Sequence, residues 1–225
     1  MIVDERMVTY INSLDTGNGA FLDELELKAK KDRVPVIRRE MQSFLKVLLQ
    51  IKQPKRILEV GTAVGFSALL MCRYTPETTT VTTIEKYETR LPEARANFKA
   101  AGMEESITFL EGDAMEILQQ LTGSYDLIFM DAATGQYSHF FPEVMRLLEP
   151  GGILISDNVL QEGDIIESHF AVERRNRTIY KRMRDYLYLL KHERNLITSI
   201  LPVGDGAALS IKTENRDYYD TEEEE

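Results

Sequence analysis

The spacing of apolar residues changes near residue 55. Before that point it is helical: Met41, Phe44, Leu45, Leu48 and Leu49 share one face of a helix predicted over Ile37–Ile51. Residues 3–31 also read as helical, broken at Asp15-Thr-Gly-Asn-Gly19, where two glycines and an asparagine mark a turn. After Gln53-Pro54 short apolar runs take over. Arg56–Val60, Thr80–Glu85, Ile107–Glu111, Tyr125–Asp131 and Gly151–Asp157 read as strands. Helical stretches separate them at about Ser67–Tyr74, Glu88–Ala101, Ala114–Leu121 and His139–Leu148. Strict alternation of this kind predicts an α/β domain, a parallel sheet with helices on both faces. The end of the chain differs. After a helix at about Arg177–His192, the runs Thr198–Val203 and Ala207–Lys212 are joined only by Gly204-Asp-Gly206. So short a connection demands an antiparallel hairpin, so one strand of a mostly parallel sheet is reversed.

The strand ends carry the polar residues. Asp131 closes one apolar run, and Asp157-Asn158 closes another. In an open α/β sheet, ligands bind beyond such ends. Two carboxylates and an amide converging there would suit a hard cation such as Mg²⁺. Upstream, Glu59-Val-Gly61-Thr-Ala-Val-Gly65-Phe-Ser67 lies between the first strand and its helix, where glycine permits a sharp turn and the helix start offers free N–H groups. Ala63 stands two residues after Gly61, so this is not the dinucleotide G-x-G-x-x-G pattern, which disfavours a nicotinamide enzyme. Glu85 ends the second strand, where an acid that binds a ribose diol belongs. Gly112-Asp113-Ala114 closes the third, and Asp113 serves equally as a helix N-cap.

Composition narrows the class. The 225 residues, 43% hydrophobic and 28% charged, suit one sizeable domain. No apolar run approaches the roughly 20 residues that span a bilayer. Asp4 and Glu5 stand where an export signal would be positive, so a cytoplasmic protein is expected. Cys72, the single cysteine, lies in Leu69-Leu-Met-Cys72 and reads as a buried reduced thiol. His139, His169 and His192 lack metal-ligand spacing and read as surface or packing residues. A net charge of −10 argues against a surface coated for nucleic acid, yet Asp220–Glu225 alone supplies five of those charges and reads as a solvated end. Against this, Arg174, Arg175, Arg177, Lys181, Arg182 and Arg184 place six positive charges within eleven residues. Such a run is either a solvated helix face or a set of phosphate contacts, with Tyr180 available for stacking.

Taken in order, Glu59-x-Gly61-x-x-x-Gly65-x-Ser67, Glu85, Gly112-Asp113-Ala114, Asp131 and Asp157-Asn158 resemble the motifs of class I S-adenosylmethionine-dependent O-methyltransferases, in their metal-dependent catechol and caffeoyl-CoA branch. The resemblance runs from about Val34 to Lys212. Val34-Pro-Val-Ile37, Lys52-Gln-Pro-Lys55, Gly135-Gln-Tyr137 and Pro202-Val-Gly-Asp-Gly206 look most similar to bacterial tRNA 5-hydroxyuridine methyltransferases. It implies a Rossmann-like, seven-stranded core at 53–213, an N-terminal helical cap at 1–52, an acidic tail at 214–225, and a homodimer.

The resemblance also implies roles. Glu59, Gly61 and Ser67 would contact the methionine end of S-adenosylmethionine, with the backbone of Val36 closing over it. Glu85 would take the ribose hydroxyls, and Gly112, Asp113 and Ala114 would flank the adenine. Asp131, Asp157 and Asn158 would hold Mg²⁺, Asp131 also lying near the cofactor and acting in catalysis with the metal. The acceptor would be 5-hydroxyuridine in a tRNA anticodon loop or a catechol-like phenol, since both set a hydroxyl beside a second oxygen. Arg174, Arg175, Arg177, Lys181 and Arg182 would meet RNA. One position departs from the pattern. A lysine that helps deprotonate the acceptor usually follows Asp131-Ala-Ala, and here it is Thr134, which is neither a cation nor a base near neutral pH. Either the metal suffices there, another group substitutes, or the chain binds the cofactor without catalysis.

Overall fold

The computed structural model describes residues 2–168 and 172–214, so the acidic end Asp220–Glu225 and His169 lie outside the described residues. Three helices come first: α1 (Glu5–Ser13), α2 (Ala20–Lys31) and α3 (Arg39–Lys52). The break between α1 and α2 falls on the predicted glycine turn. Asp15 stabilises it by accepting from Gly17 N at 2.7 Å and from Ser43 Oγ at 2.6 Å on α3. In α3, Met41, Leu45 and Leu49 are fully buried, and the helix stops at Gln53, whose left-handed conformation precedes Pro54.

The sheet follows as β1 (Arg56–Val60), β2 (Thr80–Glu85), β3 (Ile107–Glu111), β4 (Tyr125–Met130), β5 (Leu148–Ser156), β6 (Leu196–Leu201) and β7 (Ala207–Lys212). Between them run α4 (Phe66–Arg73), α5 (Leu91–Ala100), α6 (Ala114–Gln120), α7 (Tyr137–Leu147) and α8 (Arg177–His192). The seven strands lie in the order β3-β2-β1-β4-β5-β7-β6, and β7 runs antiparallel to both β5 and β6. The predicted mostly parallel sheet with one reversed strand is therefore what forms. Two strands begin earlier than predicted. β5 begins at Leu148, earlier than the apolar run indicates, because Leu148 pairs with Tyr125 before a register shift absorbs Glu149-Pro-Gly-Gly. β6 sits two residues upstream of its predicted start, with Leu196 buried.

Both faces of the central strands are buried, which explains their unbroken apolar runs. Ile57, Leu127, Phe129, Ile153 and Ile155 pack with α2, α3 and α4 on one face. Leu58, Val60, Ile128, Met130 and Leu154 pack with α7 and α8 on the other. The strand order reverses between β1 and β4, so the crevice beyond their carboxyl ends is the expected ligand site. Among the described residues, no helix is long and apolar enough to cross a membrane.

Candidate active site

A cleft of about 570 Å³ opens at that reversal, lined by Gly61, Glu85, Asp113, Ala114 and Asp131 among others. Gly61, just past β1, adopts φ 111°, and a Cβ there would lie 2.0 Å from the Asp131 carbonyl oxygen. Only glycine lets the ends of β1 and β4 approach this closely. A smaller recess of about 60 Å³ carries Val36, Gly61, Ser67 and Asp131 together. The structure thus gathers most of the sequence-derived set around two adjoining spaces.

Glu85 is oriented by backbone. Its Oε2 accepts from Ala63 N at 2.8 Å, and its Oε1 accepts from Lys86 N at 2.9 Å and Tyr87 N at 2.8 Å. Asp113 caps α6, accepting from Met115 N at 2.9 Å, and its other oxygen lies 3.5 Å from Lys86 Nζ. The cap reading of Asp113 is therefore correct, and its cleft position leaves the binding reading standing. Lys86 lines the cleft beside Asp113.

Glu59 is fully buried beneath the Gly61 turn. Its Oε2 accepts from Thr83 Oγ1, which also bonds Thr62 Oγ1 at 2.6 Å, while its Oε1 has no partner. Burial pushes this carboxyl up to about 7, opposed by the neighbouring Ser67 and Thr83 hydroxyls. A buried carboxylate oxygen without a hydrogen bond is costly unless a donor completes it. S-adenosylmethionine carries an ammonium, a ribose diol and an amino-purine, so Glu59, Glu85 and the cleft fit it.

Asp131, Asp157 and Asn158 meet at the ends of β4 and β5. Asn158 Nδ2 donates to Asp131 Oδ1 at 2.9 Å, and Asn158 N donates to Asp157 Oδ1 at 2.8 Å. Asp157 is 3% exposed. Burial raises both carboxyls, and the charge of Asp131 raises Asp157 further. No cluster of three or more His, Cys, Asp or Glu occurs among the described residues, so any metal here would use two carboxylates and an amide oxygen. That all-oxygen set fits Mg²⁺.

Several supporting residues escaped the sequence reading. Tyr137 Oη donates to the carbonyls of Met130 at 3.0 Å and Asp157 at 3.1 Å, and burial holds the hydroxyl well above its ordinary range, so it stays a donor. The Gly204–Gly206 turn accepts from Val159 N and Leu160 N, both at 3.0 Å, pinning the chain just after Asn158. Arg38 reaches Glu162 at 3.0 Å, joining the segment before α3 to the far wall. Thr134 does not leave a void: its Oγ1 accepts from Gln161 Nε2 at 3.0 Å.

The basic run is divided. Arg182 donates to Gly135 O at 3.2 Å, which sets α8 directly behind Thr134. Arg177 and Arg184 spend N–H groups on the carbonyls of Val172 and Ile165, and Arg175 pairs with Glu173 at 2.7 Å. Arg174 and Lys181 are exposed. Tyr180 corrects the sequence reading. It is 7% exposed and donates its hydroxyl to Glu167 O at 2.9 Å, because it shares the buried face of α8 with Met183 and Tyr186, so it presents no open ring for base stacking. Cys72 is only partly buried, yet its surroundings push the thiol up to about 12, so it is inert near neutral pH.

The doubly covered sheet, the reversed seventh strand and the cleft at the β1/β4 reversal define a class I S-adenosylmethionine-dependent methyltransferase. Comparison with known proteins agrees. Residues 13–213 match the O-methyltransferase family model. Caffeoyl-CoA O-methyltransferase of Populus kitakamiensis is 31% identical over 176 residues, 74% of this chain and 73% of that protein. Catechol O-methyltransferase of Niastella koreensis is 34% identical over 130 residues, 56% of this chain and 59% of that protein. Among solved structures, a Staphylococcus aureus protein provisionally assigned as a caffeoyl-CoA O-methyltransferase superposes with a TM-score of 0.85 at 32% identity, covering 91% of this chain and 98% of that one. The S-adenosylhomocysteine-bound methyltransferase of Podospora anserina gives 0.83 at 26% identity, covering 93% and 95%. The chain belongs to the O-methyltransferase family.

Proposed function

We propose that the protein methylates a hydroxyl lying beside a second oxygen, in a Mg²⁺-dependent reaction, and that the acceptor is 5-hydroxyuridine in the anticodon loop of tRNA. The observation that carries the metal-dependent reading is the convergence of Asp131, Asp157 and Asn158, of which Asp157 is buried and Asp131 also lines the cofactor cleft. Bound S-adenosylmethionine supplies an electrophilic methyl on a sulfonium. Bound Mg²⁺ supplies a charge that lowers the pKa of a chelated hydroxyl.

The protein's own residues do the rest. Glu85, fixed by three backbone N–H groups, is aimed to accept from the ribose diol. Val36, Gly61 and Ser67 would shape the recess for the methionine end, with the buried Glu59 behind its wall beside Ser67. Gly112, Asp113 and Ala114 border the adenine end. Asp131, Asp157 and Asn158 would hold the cation, which when bound would orient and acidify the acceptor hydroxyl for an in-line displacement. Asp131 borders both cofactor spaces and also bonds Asn158, so it links the cofactor site to the proposed cation site. Thr134 does not take the proton, which leaves through solvent once the hydroxyl is acidified.

Support for a tRNA acceptor comes from the site's outer rim. A groove of about 430 Å³ runs from Thr134 to Arg175, and Arg174, Arg177, Lys181 and Arg182 stand in the same basic segment. The same groove carries Glu162, Asp164, Glu173 and Asp205, so phosphates would track its basic border and not its floor. The second reading, a catechol-like phenol, is favoured by the names of the relatives above. Transfer of labelled methyl to tRNA bearing unmethylated 5-hydroxyuridine, measured beside transfer to catechol, separates them. Label in tRNA supports the first reading, and label in catechol alone supports the second.

A homodimer fits the apolar row on the first helix. Met7, Tyr10, Ile11 and Leu14 are each more than half exposed at helical spacing, a face that a second copy would cover. Sedimentation of the wild-type chain against a Tyr10→Glu variant tests it.

A further inference from the structure

Tyr137 is the first residue of α7 and has no solvent exposure. Its single hydroxyl proton is shared between two backbone carbonyls, those of Met130 at 3.0 Å and Asp157 at 3.1 Å. These are the last residue of β4 and the residue just past β5. The ladder between the strands reaches its final rung here, where Asp157 N donates to Met130 O at 2.9 Å. Beyond it the strands part to carry Asp131 on one side and Asn158 on the other.

The peptide joining Asp157 to Asn158 is thereby held from both sides. Its carbonyl accepts from Tyr137, and its N–H donates to the Asp157 carboxylate at 2.8 Å. Asn158 adopts φ 60°, a left-handed conformation that side-chain-bearing residues seldom take. That conformation brings its amide back to Asp131 at 2.9 Å. Rotation of the clamped peptide would carry the Asn158 side chain away from Asp131 and open the oxygen set.

We infer that Tyr137 is a positioning residue: its hydroxyl fixes the Asp157–Asn158 peptide and so preorganises Asp131, Asp157 and Asn158 for a divalent cation. The inference rests on the metal-dependent reading proposed above. Groups that orient metal ligands from behind commonly matter 10- to 100-fold to affinity.

A neighbour supplies the control. Tyr186 is equally buried, packs edge-on against Tyr137 at 5.4 Å between ring centres, and bonds Ser156 Oγ through its own hydroxyl at 2.7 Å. Tyr137→Phe and Tyr186→Phe each delete one buried hydroxyl and keep the ring, so the fold and the aromatic contact survive in both. Only the first deletion touches the peptide that carries the ligands.

The test titrates Mg²⁺ by calorimetry and Mn²⁺ by electron paramagnetic resonance into wild type and both variants, with S-adenosylmethionine affinity and thermal melts recorded in parallel. Tyr137→Phe is expected to weaken both cations by about 10- to 100-fold, with S-adenosylmethionine affinity within about twofold of wild type. Tyr186→Phe is expected to leave cation affinity unchanged at a comparable loss of melting temperature. Wild-type cation affinity in Tyr137→Phe, or equal losses in the two variants, overturns the positioning role alone. Absence of cation uptake by the wild type overturns the metal-dependent reading and this inference with it.

Discussion

Asn158 donates its side-chain amide to Asp131 across 2.9 Å, joining the ends of the fourth and fifth strands over 27 residues of sequence. The bond sets the Asn158 amide beside two carboxylates that repel one another. A cation would relieve that repulsion, so Asp157→Ala should lower kcat by roughly 100-fold or more, several kcal/mol of charge stabilisation. Affinity for S-adenosylmethionine should stay near wild type, because Asp157 borders neither the cleft nor the recess. Steady-state kinetics with calorimetry check both parts, and full activity in the variant would remove the metal from the mechanism.

Glu59 gives a pH prediction. Burial raises its carboxyl from 4.5 to about 7, so the folded chain holds that proton more tightly than the unfolded one. The associated stability is complete below about pH 4.5 and is lost as pH rises through about 7, in all roughly 3 kcal/mol. Glu59→Gln does not titrate. Its ligand-free form should therefore gain melting temperature relative to wild type between pH 5 and pH 8, while its affinity for S-adenosylmethionine falls. Parallel melting curves across that range would show that Glu59 is not held protonated.

Thr134 predicts a gain of function. With no lysine to help remove the acceptor proton, turnover should favour acidic hydroxyls and rise with pH. Thr134→Lys gives up the bond from Gln161 but places a cation beside the site. Its kcat on a weakly acidic phenol should increase about tenfold near neutral pH, toward the lower end of general acid–base effects. An unchanged pH–rate profile would mean that the proton leaves by a path this position does not touch.

The basic border predicts a salt effect. Arg174 and Lys181 are exposed, whereas Arg177, Arg182 and Arg184 are engaged with backbone carbonyls. Arg174→Ala with Lys181→Ala should weaken tRNA binding and reduce the slope of log affinity against log salt by about 1.4 to 1.8, two phosphate contacts' worth. Binding isotherms at several salt concentrations give the slope directly. No change in slope would place the RNA elsewhere or favour the small phenol.

The strand ends were legible because burial on both faces forces apolar runs, and a carboxylate that terminates such a run stands out. Asp131, Asp157, Asn158 and Glu85 were found that way. Tyr180 was misread from its basic neighbours, although its spacing to Met183 and Tyr186 on the helix already marked the inner face. Tyr137 was not legible as a clamp, since a tyrosine opening a helix looks like any core aromatic until its two carbonyl partners are known. Arg38 and Glu162 lie 124 residues apart, and the hairpin turn accepts hydrogen bonds from the backbone of Val159 and Leu160, far upstream in the chain. Nothing in local pattern encodes such contacts, nor the left-handed conformations of Asn158, Gln161 and Glu162.

The most direct test of the central claim is methyl transfer from labelled S-adenosylmethionine to tRNA carrying 5-hydroxyuridine, followed as Mg²⁺ is restored to chelator-stripped protein. The predicted result is no label in the stripped protein and label rising with Mg²⁺ to saturation, with Asp157→Ala silent throughout. Full methyl transfer in the stripped protein, insensitive to added Mg²⁺, would contradict it.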